Sequence, residues 1–460
     1  MIHMTLMQTA ALLGLEPINL TGNFSGLSIN TQTLSEGNLF IALPGARVDG
    51  HDFIDEAKRK GAAAALVTHP VVSSLPQLVV KDAVIAMGKL GEAWRNRFSI
   101  PFIAITGSNG KTTLKNMLAS ILKSACDNDE SQVLATQGTL NNHLGLPLTL
   151  SRLNTQHRYA VIEMGMNHFG EIDYLTKLTR PNIVVITNAA AAHLEGVNDL
   201  AGVARAKAEI FAGLQSEGTG ILNRDDPFFD YWYKQINHHN VLSFGFDLKA
   251  DVTATLLDVT QTQPLIIHTP QGDIDIHLPL LGKHNVQNAL AATAAAIAIH
   301  IPLRAIKSGL ENILPATGRM QVHTLSNSSK IIDDTYNANP FSLQAATNTL
   351  AAQPGKKILV LGDMKELGTD TKTIHHEAGE KIRAAGIDYL FTYGDLSANT
   401  SQGFGKGAQH FTDQEKLVVA LKPLLQDHTT ILIKGSRSMH MENVVKALLH
   451  TIPEHDHHAH

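Results

Sequence analysis

A lysine and a threonine stand directly behind a glycine-bounded turn in Gly107-Ser108-Asn109-Gly110-Lys111-Thr112-Thr113, and that combination can hold a triphosphate. Glycines let the backbone turn tightly enough for several N–H groups to face one anion, and a helix beginning behind them adds the positive end of its dipole. In such a cradle Lys111 reaches the β- and γ-phosphates and the Thr112 hydroxyl ligates magnesium. The general pattern G-x-x-x-x-G-K-[ST] places a glycine five residues before Gly110, where this chain has Ile105, so the loop is a shorter variant. An ordinary strand-to-helix turn is the competing reading. Against it, a buried-strand run at Phe102 to Thr106, Gly-x-x-Gly, Lys-Thr and a helical stretch from Leu114 follow in the required order.

A triphosphate site also needs ligands for a hard cation. Glu163 closes the run Tyr159-Ala160-Val161-Ile162-Glu163, where a carboxylate can meet magnesium directly or through water; a solvated carboxylate at a strand end is the plain alternative. His193 follows a strand that ends near Thr187, but the chain has 24 histidines and most must be surface or satisfied core groups. Lys207 lies in the helix-like stretch Ala204 to Phe211, where a solvated lysine is the usual outcome, and physics alone does not single it out.

The elements that must position these groups fall into three α/β segments. Residues 1–82 contain β-like runs at Leu39 to Leu43 and Gln77 to Val80, and a helix over Asp52 to Lys60 with Asp52 as N-cap and Gly61 as its stop. In 83–314, Phe102 to Thr106, Tyr159 to Met164 and Asn182 to Thr187 are nearly continuous apolar runs, as expected of strands buried on both faces of a parallel sheet. Ligands of such sheets gather at the carboxyl ends of the strands, where Thr106-Gly107, Glu163 and Asn188 would lie. Residues 315–460 repeat the pattern, with strands at Ile358 to Leu361, Tyr389 to Thr392 and Thr430 to Ile433, long enough for a Rossmann-like domain.

Composition bounds the function. A chain of 460 residues is too long for one core, and 43% hydrophobic with 17% charged residues describes a soluble globular protein. A net charge of −5 without lysine-arginine runs argues against a general nucleic-acid or membrane-surface binder. One cysteine, Cys126, excludes an intrachain disulfide and a cysteine-based zinc site. The N-terminus lacks the pattern of a signal peptide, so a cytoplasmic setting is expected. The apolar stretch Ala289 to Ile301 reads as a buried helix, without membrane insertion, and Glu454 to His460 as a disordered tail.

Over nearly its whole length the chain resembles the Mur ligase family, ATP-dependent enzymes that extend the UDP-linked peptidoglycan precursor. The segments that carry the resemblance are Thr106 to Thr113, Thr139-Leu140-Asn141-Asn142-His143-Leu144-Gly145-Leu146-Pro147, Ala192-His193-Leu194-Glu195, Gly282-Lys283-His284-Asn285-Val286-Gln287-Asn288-Ala289-Leu290, Asp333-Asp334-Thr335-Tyr336-Asn337-Ala338-Asn339-Pro340, Leu361-Gly362-Asp363-Met364-Lys365-Glu366-Leu367-Gly368 and Lys434-Gly435-Ser436-Arg437. Tyr336 to Pro340 and Gly362-Asp363-Met364 favour the branch that joins D-alanyl-D-alanine to UDP-N-acetylmuramoyl-tripeptide, and no Asp-Asn-Pro-Arg sequence of the diaminopimelate-adding branch occurs.

The resemblance implies a three-domain α/β architecture: an N-terminal domain, 1–82, for the UDP precursor; a central P-loop parallel-sheet ATPase domain, 83–314; and a C-terminal Rossmann-like domain, 315–460, with the dipeptide site. It implies ligation through an acyl phosphate, in the service of cell wall synthesis, by a protein expected to act as a monomer. Matched by motif, Gly107 to Thr113, Asn288 and Arg319 would contact ATP, and Asp334 its ribose. Thr112 and Glu163 would hold one magnesium and His193 would help bind a second. Lys207 matches a lysine carried as a carbamate, an anion that magnesium can hold. Lys111, His193 and Lys207 are thus the expected catalytic groups, and Asn142, Asn339 and Arg437 would contact substrate. Relatives carry Asp-Ser/Thr-Arg near the UDP group where this chain has Asn30-Thr31-Gln32, so Gln32 offers neutral hydrogen bonds in place of a cationic fork.

Overall fold

A computed structural model describes residues 1–16, 21–45, 48–190, 194–257, 263–368 and 370–450. Among the described residues five sheets organise the chain. In the N-terminal part a four-stranded parallel sheet runs Leu27–Ser28, Leu39–Ile41, Ala64–Val67, Gln77–Val79, beside a small antiparallel pair, His3–Thr5 with Asn23–Ser25. The expected helix is split into a 3₁₀ turn, Gly50–Phe53, and an α-helix, Ile54–Arg59. Its cap is Asp49, whose carboxylate accepts the His51 N–H at 2.9 Å, and not Asp52, which lies inside the turn. The element therefore starts earlier than its helical periodicity suggests.

The central sheet has six parallel strands in the order Asn240–Phe244, Thr219–Asn223, Ile183–Ile186, Phe102–Thr106, Tyr159–Glu163, Val133–Ala135. The continuous apolar runs have a direct cause. Ile103, Ile105, Val161 and Val185 face a core shared with helices Lys111–Ala125 and Lys283–Ala298, while Phe102, Ala104, Ile162 and Val184 face a second core on the opposite side. With both faces covered, neither set of alternate residues can be polar. Truncating one of these isoleucines to alanine would cost about 2–5 kcal/mol. Ala289 to Ile297 are the buried heart of helix Lys283–Ala298, and among the described residues no helix is long and apolar enough to cross a membrane.

An all-parallel reading of 83–314 misses one unit. Thr253–Leu256, Gln263–Thr269 and Gly272–Leu278 form an antiparallel sheet that buries Leu265, Ile267, Ile274, Ile276 and Leu278 against the helix-bearing core. The C-terminal sheet runs Gln321–Thr324, Lys330–Asp334, Thr429–Lys434, Lys356–Gly362, Tyr389–Tyr393, Ala408–Phe411, parallel except for its first pair. This is the Rossmann-like pattern with an antiparallel edge strand.

Candidate active site

The carboxyl ends of three adjacent central strands lie side by side, with Ile105 registered against Glu163 and Thr106 against Ile186. Here the chain turns sharply. Gly107 has φ +149° and Gly110 φ +84°, and a Cβ on Gly107 would run into Thr187 Oγ1. Only glycine accepts both the backbone and the crowding. The helix behind the turn begins at Lys111 with Gly110 as its N-cap, three residues before the apolar periodicity that begins at Leu114. Lys111 and Thr112 therefore sit in the first turn, where free N–H groups and the dipole favour an anion.

Neighbouring segments hold the loop in shape. Thr187 Oγ1 donates to the Asn109 carbonyl at 2.6 Å, Ser108 N–H to the Asn188 carbonyl at 3.0 Å, and Asn109 N–H to Asn188 Oδ1 at 3.1 Å. Lys111 Nζ is folded under the loop, donating to the Gly107 and Ser108 carbonyls at 2.6 and 3.3 Å. Asn109 Nδ2 is buried and finds no hydrogen-bond partner. A buried orphan donor on a glycine loop is what an anionic ligand would satisfy.

Around Glu163 the groups are locked. Its carboxylate accepts Thr112 Oγ1–H at 2.9 Å and Asn141 Nδ2 at 2.8 Å, and its backbone N–H donates to Thr136 Oγ1 at 3.0 Å. Thr136 is itself held by Lys115, whose Nζ donates to its carbonyl at 2.8 Å. Lys207, on helix Leu200–Ala208, is only 2% exposed. Loss of hydration, then repulsion from Lys111, drives its pKa well below the lysine norm. The same burial lowers the pKa of Lys111, with Glu163 opposing and Arg319 assisting.

The C-terminal part closes the other side of one cavity of about 770 Å³. Register pairs Asp334 with Lys434, and the two side chains form an ion pair at 2.6 Å, with Lys434 also donating to the Asn337 carbonyl at 2.9 Å. Arg319 lies over the Tyr336 ring, 3.9 Å from its centroid, and donates to Thr112 Oγ1 at 3.2 Å. Asn339 Nδ2 donates to Asn109 Oδ1 at 3.0 Å. Half-buried His284, beside Asp334 and Lys434, has its pKa lowered to about 4 by loss of hydration, Asp334 opposing and Lys434 adding to the shift.

Ser108, Asn109, Gly110, Lys111, Thr112, Thr113, Glu163, Lys207, Asn288, Arg319, Asp334, Asn142, Asn339 and Arg437 all line this cavity. Gly107 forms the base of the loop without lining it, and His193 lies outside the described residues. Asn30, Thr31 and Gln32 are not brought to it. They form a turn of the N-terminal part in which Asn30 Oδ1 accepts the Gln32 N–H at 2.9 Å and the Thr31 carbonyl accepts Lys60 Nζ at 2.9 Å. Asn142 has a local duty too, its Oδ1 accepting the Leu144 and Gly145 N–H groups. Sequence reasoning passed over Asn141, Lys115, Thr136, His284 and Lys434. Asn141, His284 and Lys434 stood inside quoted motifs, but Lys434 gained a role only when the strand register placed it beside Asp334.

Three family models match the chain: Mur ligase family, catalytic domain, over residues 23–97; Mur ligase middle domain over 105–296; and Mur ligase, glutamate ligase domain, over 318–437. The chain is 44% identical to the UDP-N-acetylmuramoyl-tripeptide–D-alanyl-D-alanine ligase of Escherichia coli (strain K12), covering 97% of this chain and 99% of that one. Among solved structures, MurF from Acinetobacter baumannii superposes with a TM-score of 0.90 at 35% identity, covering 98% of this chain and 99% of that one. MurF ligase from Thermotoga maritima in complex with ADP gives 0.82 at 27% identity, covering 92% and 97%.

Proposed function

Because this chain belongs to the Mur ligase family, we propose that it uses ATP to join D-alanyl-D-alanine to UDP-N-acetylmuramoyl-tripeptide, giving the pentapeptide precursor of the cell wall. One observation carries the reading. The glycine loop with Lys111, the Thr112–Glu163 pair, the Asp334–Lys434 pair and Arg437 all open into a single cavity. That is the layout needed to bring a triphosphate and two further substrates together.

An amine does not displace hydroxide from a carboxylate at useful rates, so the carboxylate must first be activated. The tripeptide's terminal carboxylate attacks the γ-phosphorus, breaking its bond to the bridging oxygen and releasing ADP. The dipeptide amine then attacks the acyl phosphate carbon, phosphate leaves with the bonding pair, and the amine's proton passes to solvent. The protein's part is positioning and charge. Lys111 and the loop N–H groups hold the transferring phosphoryl group, with Asn109 Nδ2 as a further buried donor. Asp334 is the acceptor for ribose hydroxyls, with Asn288 and Arg319 alongside.

Thr112 and Glu163 would hold magnesium, which when bound neutralises charge on the phosphates. Among the described residues no three His, Cys, Asp or Glu side chains converge as a protein-only cage. Magnesium fits without one, because it keeps several waters and takes one or two protein oxygens beside substrate phosphates. His193 is proposed as a ligand of a second ion. The lowered pKa of Lys207 favours the neutral amine, the form that adds carbon dioxide, which supports a carbamate there.

In this proposal residues 1–82 carry the UDP end through Asn30, Thr31 and Gln32, 83–314 handle ATP, and 315–460 present the dipeptide through Asn339 and Arg437, with Asn142 near the tripeptide. Action as a monomer is part of the proposal, and ATP sets the cytoplasm as its place of work. Phosphate release from ATP and magnesium should require UDP-linked tripeptide and D-alanyl-D-alanine together, with the pentapeptide confirmed by mass. Release with a different acceptor pair, or without any acceptor, would overturn the reading.

A further inference from the structure

Two loops leave the carboxyl ends of the adjacent strands Lys356–Gly362 and Thr429–Lys434 and bring Lys365, Leu367, Ser436 and Arg437 to one wall of the cavity. They are laced together, Lys365 N–H donating to Ser436 Oγ at 2.9 Å and Ser436 N–H to the Asp363 carbonyl at 3.0 Å. Asp363 fixes the start of the first loop, its buried carboxylate accepting the Leu396 and Ser397 N–H groups at 3.0 and 2.8 Å. The next anchor lies behind the wall. Met364 N–H donates at 3.1 Å to Nε2 of His375, a fully buried ring on helix Thr371–Ala384.

The partners of this ring fix its tautomer. A carbonyl only accepts, so Nδ1, 2.8 Å from the Thr371 carbonyl, carries the proton, and Nε2 is left as the acceptor that Met364 needs. Burial lowers the pKa of His375, with the Thr371 hydrogen bond and Asp363 opposing and Lys365 assisting, which favours this neutral form. An apolar side chain could fill the same space. It would strand the Met364 N–H, and a buried donor without a partner costs about 1–3 kcal/mol unless the loop moves. His375 itself does not line the cavity, so it can act on a ligand only through the loop it holds. We propose that His375 is a positioning residue for the incoming dipeptide: by holding Met364 it sets Lys365, and through the bond from Lys365 to Ser436 it sets Arg437. This rests on the ligase reading above.

Pentapeptide formation by the wild-type chain tests that reading first, and its absence would sink the ligase assignment itself. Given activity, two substitutions separate the halves of the ring. The asparagine amide can take the place of Nδ1 and keep Thr371 but lose Met364, whereas the glutamine amide reaches the place of Nε2, where its oxygen accepts the Met364 N–H. His375→Asn should raise KM for D-alanyl-D-alanine about tenfold, with KM for ATP and for UDP-tripeptide within about twofold of wild type. His375→Gln should recover most of that loss, although both variants give up one hydrogen bond and should melt lower than wild type by similar amounts. In an Arg437→Ala background His375→Asn should add little to the dipeptide KM, because it acts through that arginine. Ser436→Ala cuts the next link and should show the same selective rise, even if His375→Asn does not fold. Equal dipeptide KM in the asparagine and glutamine variants, a rise shared by all three substrates, or full additivity with Arg437→Ala would overturn the proposal. So would an unchanged dipeptide KM in Ser436→Ala.

Discussion

On the central wall of the cavity Lys207 is 2% exposed and Glu163 is gripped by Thr112 and Asn141, whereas on the C-terminal wall the side chains of Arg437 and Lys365 are 65% and 44% exposed. The contrast fits what the proposed function would have each wall hold. A phosphoryl group in transfer is stabilised by charges in a poorly hydrated setting that do not reorganise, and burial makes each such charge count for more. A small zwitterion must enter and be selected, and exposed long side chains meet it with little desolvation cost. The central wall should therefore fail in turnover, and the C-terminal wall in affinity for one substrate.

The largest effect is expected at Lys111. Lys111→Ala removes the cation inside the phosphate loop and should lower kcat for phosphate release by about a thousandfold. Glu163→Gln, which removes a charge and keeps the shape, should cost about a hundredfold or more. Normal ATP turnover in either variant would break the comparison at its strongest point.

Lys207 sharpens it, because activity and stability should move in opposite directions. Its folded pKa is lowered by burial, so between that value and the ordinary 10.5 the unfolded chain binds a proton that the folded chain does not. Stability therefore rises with pH across the window, and the penalty is complete below the folded pKa. Lys207→Met should melt higher than wild type in carbon dioxide-free buffer near neutral pH, with an advantage that shrinks as pH rises. Its turnover should fall about a hundredfold. A variant that loses stability would mean that Lys207 is a packing residue.

Arg437→Ala tests the exposed wall. The arginine is paired with Glu442 at 3.3 Å at the surface, so its loss should leave the melting temperature nearly unchanged. KM for D-alanyl-D-alanine should rise about tenfold with little change in kcat. A fall in kcat with constant KM would place Arg437 with the chemistry instead.

How much of this was legible in the sequence also divides along the two walls. The strands bearing Thr106 and Glu163 were readable because both faces are buried, and the loop because glycines, lysine and threonine must occur in order. The helix start was misjudged because Lys111 and Thr112 face the ligand side and break the apolar period. The antiparallel sheet was overlooked although Ile274, Ile276 and Leu278 alternate with Asp273, Asp275 and His277, because the parallel pattern around it set the expectation. Lys207 was invisible to physical reading, since nothing local says that a helical lysine is buried; only motif resemblance marked it. The Asp334–Lys434 pair needed a register across a hundred residues, which no local pattern encodes.

The smallest effect is expected where the two walls touch. Asn339 does two jobs: Oδ1 caps helix Pro340–Ala351 by accepting the Ser342 N–H at 2.8 Å, and Nδ2 donates to Asn109 on the phosphate loop at 3.0 Å. Asn339→Ala loses both and should cost about 1 kcal/mol of stability, the usual value of an N-cap. Asn339→Asp keeps the cap but turns the donor into an acceptor facing Asn109 Oδ1, so stability should be nearly retained while turnover falls a few-fold. If the walls act independently, the two variants will differ in melting temperature alone and share wild-type kcat. If the exposed wall helps to set the shape of the buried one, the aspartate variant will melt like wild type and still turn over slowly.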